Sequence, residues 1–385
     1  MKNKILYIGG FELPDKNAAA HRVVSNAKIL RYLGYEVIFI SSDKSDDNFG
    51  SLKESLNEYE GFNYYKIKYP KTILEWFNYL TSINHIFEIL DESYYAIFAY
   101  NYPAIALNRL IKYSNKKNIK IFADSTEWYK SENENILHKM LKTFDTNFRM
   151  RKVHFKTNGL IAISSAMYSF YSKKMKNVIL IPPLIDRKSS KWYSKTEDKE
   201  LDHNIILTYA GSPGQGSKDR IDLLVESVIE LSKKHPLKLR IVGISKEEYI
   251  NNFRTINPLN NSNILEFTGR VSHLKSIEYI KKSHFLFFLR DSNIVTKYGF
   301  PTKFVESLAC GTPIITNSSS DLDKYLINGY NGYIIDYDNK VNLISSLDKI
   351  FNERDNFSKM KSNCSNYDEF DISKYDKQFK YLLNQ

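Results

Sequence analysis

Residues 298–317, YGFPTKFVESLACGTPIITN, run through a helix start, a short helix, a break and a strand within twenty positions. Pro301 and Thr302 fit the start: threonine can cap, and the N–H groups of a first turn have no partner within the helix. Gly311 and Pro313 end the helix and launch the strand over 313–316. A helix feeding so directly into a strand is the repeating step of a parallel sheet covered by helices.

The same step recurs outward from it. Going back through the chain, strand-like runs lie at 285–289, 264–268, 239–242 and 205–210, and 333–335 follows, with helix-length segments between them. The first half repeats the theme: runs at 4–8, 36–40, 62–66, 96–100, 119–124, 160–163 and 178–181 alternate with helical stretches such as 18–33. Alternation of this kind predicts two doubly wound α/β domains, each built on a parallel sheet. Residues 185–204, IDRKSSKWYSKTEDKELDHN, are polar and aperiodic and read as a linker. The predicted organisation is a first domain over 1–184, the linker, a second domain over 205–365, and a helix in 366–385 that packs back on the first domain. Two such domains leave a cleft at the carboxyl ends of their strands, where α/β ligands usually bind.

Composition narrows the function. The chain has 385 residues, 42% hydrophobic and 26% charged, the balance of a folded protein with two ordinary cores. No apolar run approaches the roughly 18–20 residues that span a bilayer, and the N-terminal run is too short for a signal peptide, so a cytoplasmic protein is expected. Two cysteines, Cys310 and Cys364, offer neither a disulfide framework nor a zinc site. The net charge is +11, and residues 1–181 hold 26 basic against 18 acidic residues, so the excess lies in the first half. Such a bias attracts anionic partners. Nucleic acid ranks last among them, because the basic residues are dispersed and the tyrosines and phenylalanines form no clear stacking platform.

The helix over 302–310 carries the chemistry. Its first-turn amides, with Lys303 beside them, make a seat for a phosphate. Glu306 follows three residues later on the same face, and its carboxylate can accept hydrogen bonds from the vicinal hydroxyls of a ribose. On local physics Glu306 could equally be an exposed helix residue.

The segment 301–317 closely resembles the donor-site helix of retaining glycosyltransferases of family 4, which have the two-domain GT-B fold. YAGSPGQGSK at 209–218, LRIVG at 239–243, FTGR at 267–270 and NGYNGYI at 328–334 fall where that family has similar strings, so the resemblance covers the second half almost continuously. It implies transfer of a hexose-type sugar from a nucleotide-sugar, UDP-sugar by preference, to a glycan or lipid-linked acceptor in surface polysaccharide synthesis. It further implies that Glu306 holds the donor ribose and that Lys218 contacts the pyrophosphate. Lys303 and the amides around Pro301 and Thr302 would complete that phosphate site, with Gly211 opening the phosphate loop and Arg290 a further candidate at a strand end. Two positions depart from the family: Tyr298 stands where the first glutamate of its paired motif falls, and Ser212 where an arginine is common. These departures leave the sugar open and allow a degenerate nucleotide-binding subunit. An epimerase of similar fold is the other alternative.

In the first half, Gly9 and Gly10 follow the first strand, where small residues let backbone approach a ligand closely; the resemblance implies that this turn lies beneath the donor phosphates or the acceptor. His21 and Arg22 open the next helix as acceptor candidates, Arg22 for an anionic group. DSTEWY at 124–129 follows a strand at the cleft rim, where the resemblance implies acceptor-side or catalytic polar groups, with Asp124 and Glu127 the candidates; the alternative is a capped helix start with a packed Trp128. The stretch 137–156 is a basic amphipathic helix, which would either lie on an anionic membrane surface or pack on its own domain with a solvated basic face. Catalysis is expected to need no cofactor and no metal, with Lys218, Lys303 and the helix start stabilising the leaving diphosphate. The D-x-D strings at 321–323 and 336–338 are read as chance.

Overall fold

The computed structural model describes residues 3–45, 51–91, 93–128, 136–193, 203–211, 218–253 and 263–384. The chain divides into two compact units, one of Met1–Asp186, Tyr298–Phe300 and Asp371–Gln385, the other of Arg187–Lys297 and Pro301–Phe370.

The first unit is an eight-stranded sheet: β1 (Lys4–Gly9), β2 (Glu36–Asp43), β3 (Asn57–Tyr59), β4 (Phe62–Lys68), β5 (Tyr94–Tyr100), β6 (Lys120–Ser125), β7 (Gly159–Ala162) and β8 (Val178–Leu180), in the order β3-β4-β2-β1-β5-β6-β7-β8. Every pairing is parallel except β3–β4 at one edge, a hairpin turned by Glu60 and Gly61, both at positive φ. The helices are α1 (Ala18–Tyr32), α2 (Ile73–Thr81), α3 (Asn84–Phe87), α4 (Ala104–Lys117), α5 (Ile136–Phe148) and α6 (Ser165–Ser172). Two apolar layers sandwich the sheet. One joins α1 to Tyr7, Phe39, Phe98 and Phe122; the other joins α4 to Leu6, Ile8, Ile97 and Ile121. Side chains alternate between these layers along β1, and burial on both faces explains the near-continuous apolar runs.

The second unit is a six-stranded, wholly parallel sheet in the order β11-β10-β9-β12-β13-β14. Its strands are β9 (Ile205–Ala210), β10 (Leu237–Val242), β11 (Leu265–Gly269), β12 (Phe285–Phe287), β13 (Ile314–Thr316) and β14 (Gly332–Ile334). Its helices are α7 (Ile221–Leu231), α8 (Lys246–Asn252), α9 (His273–Lys281), α10 (Ile294–Tyr298, whose last residue falls in the first unit), α11 (Thr302–Ala309), α12 (Lys340–Asn352) and α13 (Phe357–Asn366). The last helix, α14 (Asp376–Asn384), buries Phe379, Leu382 and Leu383 in the α1 layer of the first unit.

The boundaries differ from the expected linker over 185–204. Ile185 is buried and forms an isolated bridge with Asp371 inside the first unit. Arg187 donates to the carbonyls of Ser365 and Tyr367, and Trp192 is buried, so the chain is already part of the second unit there. Apolar residues scattered among polar ones hid this anchoring. Positions 194–202 lie outside the described residues. The basic stretch 137–156 also differs from a uniform amphipathic helix. α5 ends at Phe148 in a π-turn over Arg149–Val153, and Arg149 is buried, donating to Asp145 and to the carbonyl of Asn101.

Candidate donor site

In each sheet the strand order reverses beside the first strand, between β1 and β5 in the first unit and between β9 and β12 in the second. Crevices at the carboxyl ends of strands on either side of such a reversal are the usual ligand sites of α/β sheets.

At the second reversal, β9 runs out into Gly211, and the chain after β12 passes through Leu289 to Arg290. Between them lies a buried carboxylate that the sequence reading missed, Asp219. Its Oδ2 accepts from Lys303 Nζ at 2.6 Å and from the Tyr209 hydroxyl at 2.8 Å, and its Oδ1 accepts from Arg290 Nε at 2.9 Å. The Lys303 ammonium also sits 4.0 Å from the centroid of the Tyr209 ring and 5.5 Å from that of Phe288, a cation–π arrangement. Burial alone would raise the Asp219 carboxyl, but Lys303 and Arg290 outweigh it and hold the group below the usual carboxylate range. Burial acts on Lys303 in the opposite sense. With Arg290 and Lys218 adding repulsion, it outweighs the attraction of Asp219 and lowers the ammonium to about 8.

One carboxylate thus holds two cations, and half-buried Lys218 adds a third nearby. The cluster keeps a net positive charge at the end of the sheet, the electrostatics an anionic group needs. Gly211 is required beside it: its φ is +133°, and a Cβ there would lie 3.2 Å from Lys303 Nζ. Arg290 is buried in this network rather than extended, with its backbone N–H donating to Asn317. Ser212 lies outside the described residues.

The helix start differs from the expectation in one respect. Pro301 is the N-cap of α11, and no side chain caps the helix; Thr302 is already its first residue. Side chains three apart on α11 find different partners. Lys303 turns inward to Asp219, whereas half-buried Glu306 brings Oε1 to 3.3 Å from His273 Nε2 at the start of α9. His273 was also missed by the sequence reading.

In the first unit two candidates are buried instead of lying at a rim. Arg22 is buried and committed: Nε and Nη2 reach Asp124 Oδ1 at 2.9 and 2.8 Å, and Nη1 donates to the carbonyls of Ile181 and Pro182. Asp124 is fully buried and also accepts from the Tyr7 hydroxyl at 2.5 Å and from Asn26 at 3.3 Å. The enclosed guanidinium and carboxylate tie α1 to the ends of β6 and β8. Gly9 is needed for close packing, because a Cβ there would meet the Tyr100 carbonyl oxygen at 2.2 Å, while Gly10 is exposed with ordinary space around it. His21 is half-buried, its Nδ1 2.9 Å from Asp15. Glu127 is half-buried and adds to the burial that raises the Tyr100 hydroxyl. Tyr298 sits in an aromatic group, its ring centroid 4.8 Å from that of Trp128 and 6.3 Å from that of Phe170, and Ser164 donates to its carbonyl at 2.8 Å.

Residues 196–369 match the family described as Glycosyl transferases group 1. An uncharacterized glycosyltransferase of Methanocaldococcus jannaschii, MJ1069, is 22% identical over 243 residues, a match spanning 60% of this chain and 59% of that protein. Among solved structures, the sucrose-phosphate synthase of Thermosynechococcus elongatus superposes with a TM-score of 0.73 at 14% identity, covering 100% of this chain and 98% of that one. HepE of Anabaena, solved in complex with UDP and glucose, gives 0.67 at 15% identity, with 99% of each chain covered. Two parallel-sheet α/β units with these neighbours make the fold of GT-B type, with residues 196–369 similar to the Glycosyl transferases group 1 family.

Proposed function

We propose that this chain is a retaining, metal-independent hexosyltransferase of family 4. It moves a sugar from a UDP-sugar to a glycan or lipid-linked acceptor in bacterial surface polysaccharide synthesis. The observation that carries the reading is the cationic cluster on Asp219 at the strand reversal of the second sheet. A nucleoside diphosphate leaving a sugar develops negative charge on its terminal phosphate. Lys303, Lys218, Arg290 and the uncapped start of α11 form a preorganised positive field that lowers the energy of that charge without a metal. The resemblance assigns Glu306 to the donor ribose; in this proposal the departing diphosphate takes the acceptor's proton on the same face of the sugar.

A second reading, a subunit that binds nucleotide without transfer, is favoured by Tyr298. It stands in place of a motif glutamate, and its ring packs on Trp128 rather than offering a carboxylate.

Calorimetry with UDP, GDP, ADP, CMP and their sugars, on wild type and Glu306→Ala, tests both. A selective nucleotide present at about 100 times its dissociation constant raises native stability by about 2.7 kcal/mol. Binding weakened by the substitution, with transfer that survives EDTA and keeps the anomeric configuration by NMR, is the expected result. Binding without hydrolysis or transfer points to the second reading, and no nucleotide binding by folded protein defeats both.

A further inference from the structure

Glu306 has a neighbour that takes no part in the phosphate cluster. Its Oε1 lies 3.3 Å from Nε2 of His273, the first residue of α9, and both side chains are half-buried within the second unit. The two helices start at the same end of the second sheet, the carboxyl end where the Asp219 cluster sits. α9 is reached from β11, and α11 from the chain that follows β12.

The frame around this pair is firm without it. Ser272 caps α9 by accepting from the Lys275 N–H at 3.3 Å, and Ile277 and Ile280 anchor that helix in the core. Phe304, Val305 and Leu308 do the same for α11. The far end of α9 is already tied to the chain after α11, where the Thr312 hydroxyl donates to the Ile280 carbonyl at 2.8 Å. The helices are thus held together by other means, and the His273–Glu306 contact serves another purpose.

The chemistry around Glu306 narrows that purpose. Lys303 stands three residues before it on the same helix, the spacing at which lysine and glutamate pair, but its ammonium is taken by Asp219 at 2.6 Å. Cys310, one turn further on, has its thiol pushed up by burial, with Glu306 adding to the effect, and so stays protonated. An imidazole N–H donates to a carboxylate oxygen, and a carboxylate has about four acceptor positions, so one bond from His273 leaves room for two hydroxyls. A glutamate side chain gives up its rotamer freedom when it takes a single geometry. A partner that fixes the carboxylate before the nucleotide arrives removes that loss from binding.

We propose that His273 is a positioning residue, which holds the Glu306 carboxylate in the geometry that meets the vicinal hydroxyls of a ribose. The second unit thereby selects ribonucleotides over nucleotides that lack those hydroxyls, because a site set to bond a hydroxyl penalises its absence. The proposal rests on the ribose role of Glu306 proposed above.

The test is calorimetry with UDP and 2′,3′-dideoxy-UDP, or the matching pair if another base is selected. It is run on wild type, His273→Ala, His273→Gln, Glu306→Ala and the His273→Ala, Glu306→Ala double variant, with thermal melts to show that each is folded. His273→Ala is expected to weaken UDP binding about five- to tenfold and to change dideoxy-UDP binding by less than about twofold. His273→Gln, whose amide can donate from near the position of Nε2, is expected to return UDP binding to within about twofold of wild type. On a Glu306→Ala background the histidine change is expected to add less than about twofold, since the two side chains act as one unit. Equal weakening of both nucleotides by His273→Ala overturns the proposal, because a merely structural histidine acts on both alike. No effect on either nucleotide, or full additivity in the double variant, overturns it as well. UDP binding that is indifferent to His273 removes this inference and leaves the transferase reading standing, whereas no nucleoside diphosphate bound by folded wild type removes both.

Discussion

Asp219 accepts from an ammonium, a guanidinium and a phenol, and each of those donors depends on it. Asp219→Ala leaves Lys303 and Arg290 buried beside one another, and loss of one partner from such a network costs about 3–5 kcal/mol. Urea unfolding of the variant should show that loss, together with weakened UDP binding. The pH dependence follows from Lys303. A bound anion prefers the charged ammonium, so UDP affinity is full below about 8 and falls as pH rises through that value, by up to about tenfold per unit. Calorimetry at pH 7, 8 and 9 measures the fall, and Lys303→Met, with no proton to lose, should abolish this step and bind weakly throughout. Lys303 and Glu306 are legible in the sequence because the helix start that presents them is a local pattern. Asp219 is not, because its partners Lys303 and Arg290 lie 84 and 71 positions away and only the closed sheet brings them together. A lysine in a short apolar helix is itself the signal to search for a buried acid.

Among elements, the strands buried on both faces are the most legible, since each requires an apolar run. The edge strand β3 is three residues long and half solvated, and so leaves no such run; the Glu60–Gly61 turn is its one local mark. Helix α1 illustrates how context reassigns a residue. Arg22 sits at a helix start near strand ends, which suits an acceptor contact, but Asp124 comes from a strand 102 positions later and claims it. Arg22→Met should therefore lower stability by about 3–5 kcal/mol, read by chemical unfolding, instead of acting on acceptor affinity alone. The turn after β9 is similarly constrained. Gly211→Ala forces a side chain into a positive-φ backbone against Lys303, and a loss of about 1–3 kcal/mol with weaker UDP binding is expected in a thermal-shift titration.

At the scale of the whole chain, the two α/β units follow from the order of runs and helices, but their limits do not. Residues 366–370 still belong to the second unit, Arg187 and Trp192 are anchored there, and Tyr298–Phe300 belong to the first. Such assignments depend on which core a few apolar side chains enter, and polar composition does not report it. Phe379, Leu382 and Leu383 of α14 lie wholly in the first unit, and burial of each side chain is worth about 1.5–3 kcal/mol. Removal of residues 371–385 should consequently unfold or strongly destabilise the first unit while the second still binds UDP. Circular dichroism melts paired with calorimetry distinguish the two.

That shared layer also sets an order on synthesis. A ribosome finishes residues 1–186 early, yet the nascent first sheet must wait for a helix encoded about 190 positions downstream before its α1 face is closed. At ordinary elongation rates the wait is roughly 10–40 s. The second unit offers no help, since it ends at Phe370, six positions ahead of α14. The half of the protein translated first thus keeps an open apolar face until almost the last helix is made, the kind of exposure that chaperones cover.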